Sequence, residues 1–154
     1  MFTIDASVHV NAANPNEPGW AQSRDLLTEL GARLRPVFAP TLLLVEVAAA
    51  VARNTNDAAR GVTAARKIRA LRAHTWVQLD DLLAEEAVQL GTQCRLRGAD
   101  AVYAAVAKRH GCKLVTRDQQ QLDRLKDALT CLTPEEALAQ LGSPGDSTTG
   151  GTGG

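Results

Sequence analysis

Short apolar runs alternate along this chain with longer segments in which apolar residues recur every three or four positions. The runs predict buried strands, and the periodic segments predict amphipathic helices. Strands are predicted over residues 2–4, 37–39, 75–79, 112–116 and 128–132. Helices are predicted between and after them, over residues 22–35, 42–53, 58–73, 80–97, 100–110, 119–127 and 134–142. Strands that alternate with helices indicate an α/β fold with a mainly parallel, about five-stranded central sheet.

Residues 1–142 are predicted to form one domain without internal repeats, since a chain of 154 residues can bury its own core. The 45% share of hydrophobic residues is that of a globular protein. Residues 143–154 read SPGDSTTGGTGG and offer almost no apolar side chain for burial. We therefore expect this segment to be a disordered tail.

Four carboxylates that lie beside or inside apolar stretches are the most informative chemical feature of the chain. They are Asp5, Glu46, Asp100 and Asp118. Asp5 and Asp118 follow predicted strands, whereas Glu46 and Asp100 lie near the starts of predicted helices. In parallel α/β sheets the strand ends and the following helix starts gather at one edge, where ligands bind. We therefore expect the four side chains to converge.

Each of the four acids also has a purely structural interpretation. Asp5 and Asp118 can be turn residues after strands, and Asp100 can be a helix N-cap. Glu46 is the only charged residue in the run TLLLVEVAAAVA, and a buried pairing with an arginine would explain it. An ionised carboxylate in an apolar setting is costly unless it is paired or bound to a metal. Four such residues together favour a shared cation.

A cation shared by four carboxylates has predictable chemistry. Without counter-charge, mutual repulsion would raise the pKa values of the carboxylates and protonate some of them. Hard oxygen ligands in this number suit Mg²⁺ or Mn²⁺, not zinc. Such a site assists phosphodiester hydrolysis because it activates water and stabilises the leaving oxygen. Ser7 and Thr116, each two residues from a proposed ligand, are expected to orient carboxylates or waters.

Charge and cysteine content narrow the class of protein further. The formal net charge is zero, so global electrostatics indicates neither nucleic acid nor an anionic membrane as a partner. Residues 53–72 hold six basic side chains against one acid and form either a local phosphate-binding face or a solvated helix face. No apolar run reaches the ~18 residues of a membrane span. Three cysteines without a CxxC pair favour a reducing cytoplasm over a disulfide framework.

Four segments of the sequence resemble those of a known family. They are FTIDAS, APTLLLVEVAAAVAR, LRGADAVYAAVAKRHGCKLVTRD and LTPEEALAQL. The most specific pattern is GADAVYAAVA followed by LVTRD. On these segments the chain resembles PIN-domain proteins over about residues 2–141, and among them the VapC toxins of bacterial and archaeal toxin–antitoxin pairs. The resemblance implies a three-layer α/β/α arrangement around the sheet.

The resemblance also implies an activity, that of a Mg²⁺-dependent ribonuclease with Mn²⁺ as an alternative cofactor. The acids that match the family's catalytic and metal-binding positions are Asp5, Glu46, Asp100 and Asp118. Thr116 matches the threonine that precedes the last acid. Some relatives carry a further acid shortly after the last one, but residues 119–121 are glutamines here. This departure favours one tightly bound ion in the free enzyme.

The partners implied by the resemblance are RNA, a cognate antitoxin and a second copy of the chain in a homodimer. The antitoxin is expected to block the acidic pocket by inserting an arginine or lysine. For the RNA backbone, Arg117 is the strongest candidate because it abuts Asp118, and Arg97 and Arg53 are further candidates. An ion pair between Arg117 and a neighbouring site acid is the alternative. The implied location is the cytoplasm.

Three other functions fit parts of the pattern. A catalytically inactive PIN-fold module that binds RNA or protein would keep the fold, but the intact set of acids argues against it. A phosphoacceptor receiver domain needs an acidic pair after its first strand, where this chain has the single Asp5. A phosphatase with a nucleophilic aspartate needs an Asp-x-Asp sequence, and this chain reads Asp5-Ala6-Ser7 there. Neither of the last two patterns is therefore met.

Overall fold

The computed structural model describes residues 1–142, so the tail predicted over 143–154 lies outside the described residues. The strands are β1 (Phe2–Ile4), β2 (Val37–Pro40), β3 (His74–Val77), β4 (Lys113–Val115) and β5 (Cys131–Leu132). The helices are α1 (Ala6–Ala12), α2 (Trp20–Ala32), α3 (Leu42–Thr55), α4 (Ala58–Arg69), α5 (Asp81–Cys94), α6 (Gly98–Arg109), α7 (Gln119–Leu125) and α8 (Pro134–Gly142). The strands form one sheet in the order β3-β2-β1-β4-β5, and every pairing is parallel.

Helices cover both faces of this sheet, which confirms the α/β architecture predicted from the sequence. Successive side chains of a strand point to opposite faces. Accordingly, Ile4 and its register partner Val115 pack in one apolar cluster with α2 and α8. Leu114, the next residue along β4, packs in a second cluster with α3, α5 and α6. The two clusters are the cores of a three-layer domain.

Local sequence sets several of the helix starts. The Asp80 carboxylate accepts a hydrogen bond of 2.8 Å from the Leu83 N–H and so caps α5. At the start of α8, the Glu136 carboxylate accepts from the Thr133 N–H at 2.7 Å, and the Thr133 hydroxyl accepts from the Glu136 N–H at 3.2 Å. This reciprocal pair is a capping box. It fixes the direction in which the chain leaves the sheet.

Most predicted boundaries shift by one to three residues, and three differences are of a different kind or matter more. Helix α1 is absent from the sequence-based prediction because the segment ASVHVNA is too short to show a clear helical period. Helix α4 ends at Arg69, since a turn between Ile68 and Leu71 leads into β3. Strand β5 pairs with β4 over only two residues, fewer than the apolar run suggests. None of the helices within residues 1–142 is long and apolar enough to cross a membrane.

The all-parallel sheet has a direct consequence for function. Helices α1, α3, α5 and α7 each begin within a few residues of the end of β1, β2, β3 and β4. Every one of these strand-to-helix connections therefore lies at the same edge of the sheet, the carboxyl edge. The predicted site acids belong to these connections or to helix starts close to them.

Candidate active site at the carboxyl edge of the sheet

Two of the four predicted acids are helix N-caps. Asp5 follows β1, and its Oδ1 accepts a hydrogen bond of 2.9 Å from the Ser7 N–H at the start of α1. Asp118 follows β4, and its Oδ1 accepts from the Gln120 N–H at 2.8 Å at the start of α7. Both residues thus have a structural role, as helix N-caps rather than as the turn residues that the sequence suggests. Because each cap uses one oxygen, the second carboxylate oxygen remains for other partners.

The other two acids lie inside helices. Asp100 is the third residue of α6, so it is not the N-cap, a position that Arg97 holds. Glu46 lies in the second turn of α3. All four acids line one cavity of about 280 Å³, together with Ser7, Arg97 and Gln121. The structure therefore brings together the four carboxylates that the sequence predicts to converge.

A buried glutamine links two of these carboxylates. The side-chain amide of Gln121 donates hydrogen bonds to Asp5 Oδ2 at 3.2 Å and to Asp100 Oδ1 at 2.9 Å. Gln121 is only 1% exposed, and within residues 1–142 its Oε1 has no hydrogen-bond partner. The amide group therefore fixes the positions of Asp5 and Asp100 relative to each other, although their negative charges repel.

An arginine at the mouth of the cavity links a second pair of acids. The Nε of Arg97 donates to Asp100 Oδ2 at 2.8 Å, and a terminal nitrogen of its guanidinium donates to Asp118 Oδ2. The side chain of Arg97 is 65% exposed, whereas those of Asp100 and Asp118 are 12% and 23% exposed. Arg97 therefore covers the two carboxylates from the solvent side.

Tyr103 holds the fourth acid. Its hydroxyl donates to Glu46 Oε2 at 2.6 Å and accepts from the backbone N–H of Ala6. The side chain is fully buried. Burial, and then the neighbouring Glu46 carboxylate, raise the pKa of Tyr103, so the phenol stays protonated and keeps its donor proton. The hydroxyl couples the position of Glu46 to the start of α1.

The cavity carries an excess of negative charge, because four acids and one arginine line it. Burial raises the pKa of Asp5 above its usual range, against the lowering effect of the Ser7 and Gln121 hydrogen bonds. Burial also raises the pKa of Glu46, and the charges of Asp5 and Asp100 add to this effect. A positive charge inside the cavity would reverse both shifts. The electrostatics of the cavity therefore favours the binding of a cation.

The residues present fit a hard divalent cation by donor chemistry. Carboxylate oxygens from four separate elements face one cavity, and two of the acids have a raised pKa. Among residues 1–142, no set of three or more Asp, Glu, His or Cys side chains is already arranged as a metal coordination sphere. Arg97 and Gln121 occupy oxygens that such a sphere would use. A metal bound there would therefore share these oxygens with the two donors or replace one of the donors.

The two hydroxyl residues predicted to support the site act on the backbone. Thr116 is fully buried, and its Oγ1 accepts a hydrogen bond of 3.0 Å from the Asp118 N–H. The Oγ of Ser7 accepts from the Arg117 N–H at 3.1 Å. Both bonds hold the loop that carries Asp118 against the start of α1. They fix the acids through the main chain rather than through the carboxylates.

Of the three arginines predicted to contact RNA, only Arg97 lines the cavity. The guanidinium of Arg117 packs against Gly19 and bonds Ser23 and Glu135, so it neither lines the cavity nor pairs with a site acid. Arg53 lies in the last turn of α3, roughly 10 Å along the helix axis from Glu46. Adjacency in sequence misleads for Arg117, because successive residues after a strand point in opposite directions.

The basic stretch over residues 53–72 also lies away from the acids. Helix α4 leads into the start of β3, so its last turn, with Arg66, Lys67 and Arg69, lies at the opposite edge of the sheet from the cavity. The stretch therefore cannot supply the RNA contacts next to the four carboxylates. Lys67 and Arg72 instead border a large apolar cavity at that opposite edge.

Two contributors to the site, Gln121 and Tyr103, escape prediction from the sequence. Each lies three residues after a site acid, at a spacing that places two side chains on the same face of a helix. This spacing is the signal that could have found them. It is weak, because the same spacing also describes residues that simply pack in a core.

The fold is a parallel α/β domain, and its candidate site is a cluster of four carboxylates at the carboxyl edge of the sheet. The family model described as PIN domain matches residues 2–128 of this chain. The chain therefore belongs to the PIN-domain family, which confirms the resemblance seen in the sequence. A comparison with curated protein sequences gave no match.

Solved structures that share the fold include toxin–antitoxin proteins. VapC20 of Mycobacterium tuberculosis, described as a sarcin–ricin loop cleaving toxin, is 16% identical with a TM-score of 0.69 over 84% of this chain and 97% of its own. FitAcB of Neisseria gonorrhoeae is 20% identical with a TM-score of 0.68 over 88% and 99%. A toxin–antitoxin complex of Klebsiella pneumoniae is 18% identical with a TM-score of 0.63 over 87% and 98%. At these identities the similarity shows a shared fold.

Proposed function

We propose that this chain is a Mg²⁺- or Mn²⁺-dependent endoribonuclease and the cytoplasmic toxin of a VapBC-type toxin–antitoxin pair. The observation that carries the proposal is the convergence of carboxylates from four elements on one cavity. Membership of the PIN family and the shared fold with a toxin that cleaves the sarcin–ricin loop support RNA as the substrate. Homodimer formation remains an expectation drawn from the family resemblance.

The residues that would hold the metal are Asp5, Glu46, Asp100 and Asp118. When bound, a metal of this kind activates water and stabilises the leaving oxygen of a phosphodiester. The chain contributes a set of oxygens that is fixed in advance, because backbone caps hold Asp5 and Asp118 and the Tyr103 hydroxyl holds Glu46. Such preorganisation reduces the rearrangement needed when substrate arrives.

The apolar cavity at the opposite edge of the sheet supports a protein partner. It has a volume of about 920 Å³ and is lined by side chains of α1 to α4, including Leu27 and Val51. Its cationic lining residues are Arg24, Lys67 and Arg72. An apolar groove with a basic margin fits an amphipathic segment that carries acidic residues. We assign this groove to the antitoxin.

The decisive experiment is cleavage of a panel of single-stranded and structured RNAs by the full chain in EDTA, Mg²⁺ or Mn²⁺. Wild type is compared with Asp100→Asn and with Asp127→Asn, which alters an exposed carboxylate outside the cavity. We expect metal-dependent cutting by wild type and Asp127→Asn and its loss in Asp100→Asn. A folded wild type that binds metal and cuts none of the RNAs would favour an inactive PIN-fold module instead.

A further inference from the structure

The carboxylate oxygens at the mouth of the cavity are all engaged. Asp100 accepts from Gln121 at Oδ1 and from Arg97 at Oδ2. Asp118 accepts from the Gln120 N–H at Oδ1 and from Arg97 at Oδ2. A divalent cation can use the second lone pair of these oxygens. It then shares them with three donors, a backbone N–H, a buried amide and an exposed guanidinium, and its charge competes with that of the guanidinium.

These donors differ in how readily they can leave. The backbone N–H of Gln120 belongs to α7, and the Gln121 side chain is only 1% exposed and bonds two acids at once. Arg97 reaches the acids from solvent on a long side chain that is 65% exposed. Its side chain makes no capping bond to α6, and within residues 1–142 the hydrogen bonds and ion pairs of its guanidinium go to the two acids alone. The guanidinium is the one of the three donors that solvent already reaches, so it is the donor that can be exchanged.

We propose that Arg97 is a positioning residue with two alternative partners: the carboxylates of Asp100 and Asp118 in the metal-free protein, and an RNA phosphate once the metal is bound. This inference rests on the proposed function. The guanidinium stays tethered at the N-terminus of α6 when it is released, so it remains within reach of a strand that enters the cavity. Its planar fork of donors suits a phosphate as well as it suits two carboxylates.

The exchange couples the binding of metal to the binding of RNA. Metal displaces Arg97 from the acids and thereby supplies a cation for the RNA backbone. RNA that holds Arg97 removes the competitor and thereby strengthens metal binding. Such coupling is reciprocal by thermodynamic necessity. A guanidinium that only braced the fold, or that only bound RNA, would show no such coupling.

Metal affinity is the first test, with Mn²⁺ alone as the probe and electron paramagnetic resonance of free Mn²⁺ as the readout. The variants are Arg97→Gln and, as a matched control, Arg95→Gln, which removes an exposed arginine that does not line the cavity. We expect Arg97→Gln to bind Mn²⁺ roughly threefold to thirtyfold more tightly than wild type, because two exposed ion pairs are lost. Arg95→Gln should match wild type. Equal or weaker Mn²⁺ binding by Arg97→Gln would overturn the inference.

RNA affinity is the second test, measured by fluorescence anisotropy with a labelled, 2′-O-methylated single-stranded RNA that gels show to stay intact. With Mn²⁺ present, Arg97→Gln should bind on the order of tenfold more weakly than wild type. Its plot of log affinity against log salt should be shallower by about 0.7, the contribution of one phosphate contact. In EDTA the two proteins should bind alike. An equal loss of affinity in both buffers would indicate a fixed contact and contradict the exchange.

The two proposals fail in different ways. If wild type cuts RNA with metal while the Mn²⁺ affinity of Arg97→Gln is unchanged, the exchange is wrong and the nuclease stands. If neither protein binds Mn²⁺, both proposals fall. Arg97→Lys gives a further check, because it keeps the charge and loses the fork. We expect its Mn²⁺ affinity to lie between those of wild type and Arg97→Gln.

Discussion

Asp5 combines a structural bond with a site position, and its two oxygens divide these tasks. Oδ1 caps α1 through the Ser7 N–H, whereas Oδ2 faces the Gln121 amide and the cavity. The residue is only 5% exposed, and burial raises its pKa. An ionised carboxylate here is therefore costly for the metal-free fold, although its capping bond is useful. Replacing the charge and replacing the cap should have opposite effects on stability.

We predict that Asp5→Asn unfolds in metal-free buffer with the same free energy as wild type or up to about 1 kcal/mol more, because a neutral amide removes the buried like charge. An asparagine can still cap α1, although its amide nitrogen cannot accept the hydrogen bond that Gln121 donates to Asp5 Oδ2. Asp5→Ala removes the cap and should be less stable than Asp5→Asn by about 1 kcal/mol. Urea denaturation in EDTA measures both values. Asp5→Asn as the less stable of the two would contradict this account.

Gln121 shows why the full set of site residues is harder to predict from sequence than the four acids alone. The four carboxylates stand out in the sequence because charge is rare in apolar runs. Gln121 is one of three successive glutamines, and only its spacing of three residues from Asp118 distinguishes it from Gln119 and Gln120. The packing of α7 decides that this glutamine is the one buried against Asp5. A spacing of three residues is too common in helices to predict such a contact.

At the scale of elements, α3 and α4 form a helical hairpin that meets most closely at Gly61. A Cβ at this position would overlap the carbonyl oxygen of Ala48 and lie 3.0 Å from the Cβ of Ala52. The glycine therefore permits an approach of two backbones that any side chain would block. The same hairpin carries Glu46 at the acidic cavity and lines the apolar groove with side chains that include Val47, Ala64 and Ile68.

We predict that Gly61→Ala destabilises the domain by about 1–3 kcal/mol, because the helices must separate to admit one methyl group. The matched control is Gly31→Ala, in an exposed part of α2 where a Cβ would meet nothing within 4 Å. That variant should be more stable than wild type by about 0.5–1 kcal/mol, since alanine restricts the unfolded chain and favours helix. Thermal or urea unfolding of both variants checks the sign. A Gly61→Ala variant more stable than wild type would show that the two helices can separate without loss of free energy of unfolding.

The elements themselves could largely be predicted, for reasons that differ from one to another. The capping box at Thr133 and Glu136 is a purely local signal, and the structure forms it. The apolar run at 113–115 becomes the buried strand β4. Helix α1 could not be predicted, because its short segment is defined mainly by the Asp5 cap and by burial of Val8 against the sheet. Strand order was also beyond the sequence pattern, since it depends on contacts between distant segments.

At the scale of the whole molecule, the formal net charge is zero, but the two edges of the sheet carry side chains of opposite charge. The carboxyl edge carries the four acids, and the other edge carries the apolar groove with its basic margin. This separation explains why the total charge indicates neither the acidic cavity nor the basic margin of the groove.

Two histidines at the groove make the stability of the whole fold dependent on pH. His9 is 5% exposed, with an Nε2 that has no partner in the described part of the chain. Burial lowers the pKa of His9 to about 3, and the nearby His74 adds to this effect. Burial lowers the pKa of His74 to about 4. Both histidines line the apolar groove, together with Lys67 and Arg72.

We predict that the free energy of unfolding falls as the pH is lowered below about 6.5, the pKa of an unfolded histidine. Both imidazoles are neutral in the fold and bind protons when unfolded, so acid favours the unfolded state throughout the window from about 6.5 down to about 4. For His9 alone the loss between about pH 7 and about pH 5 is on the order of 2 kcal/mol. Urea denaturation of wild type and His9→Leu at both pH values isolates this term, because the carboxylates are common to both proteins. A difference between the two proteins that does not change with pH would show that His9 is solvated in the fold.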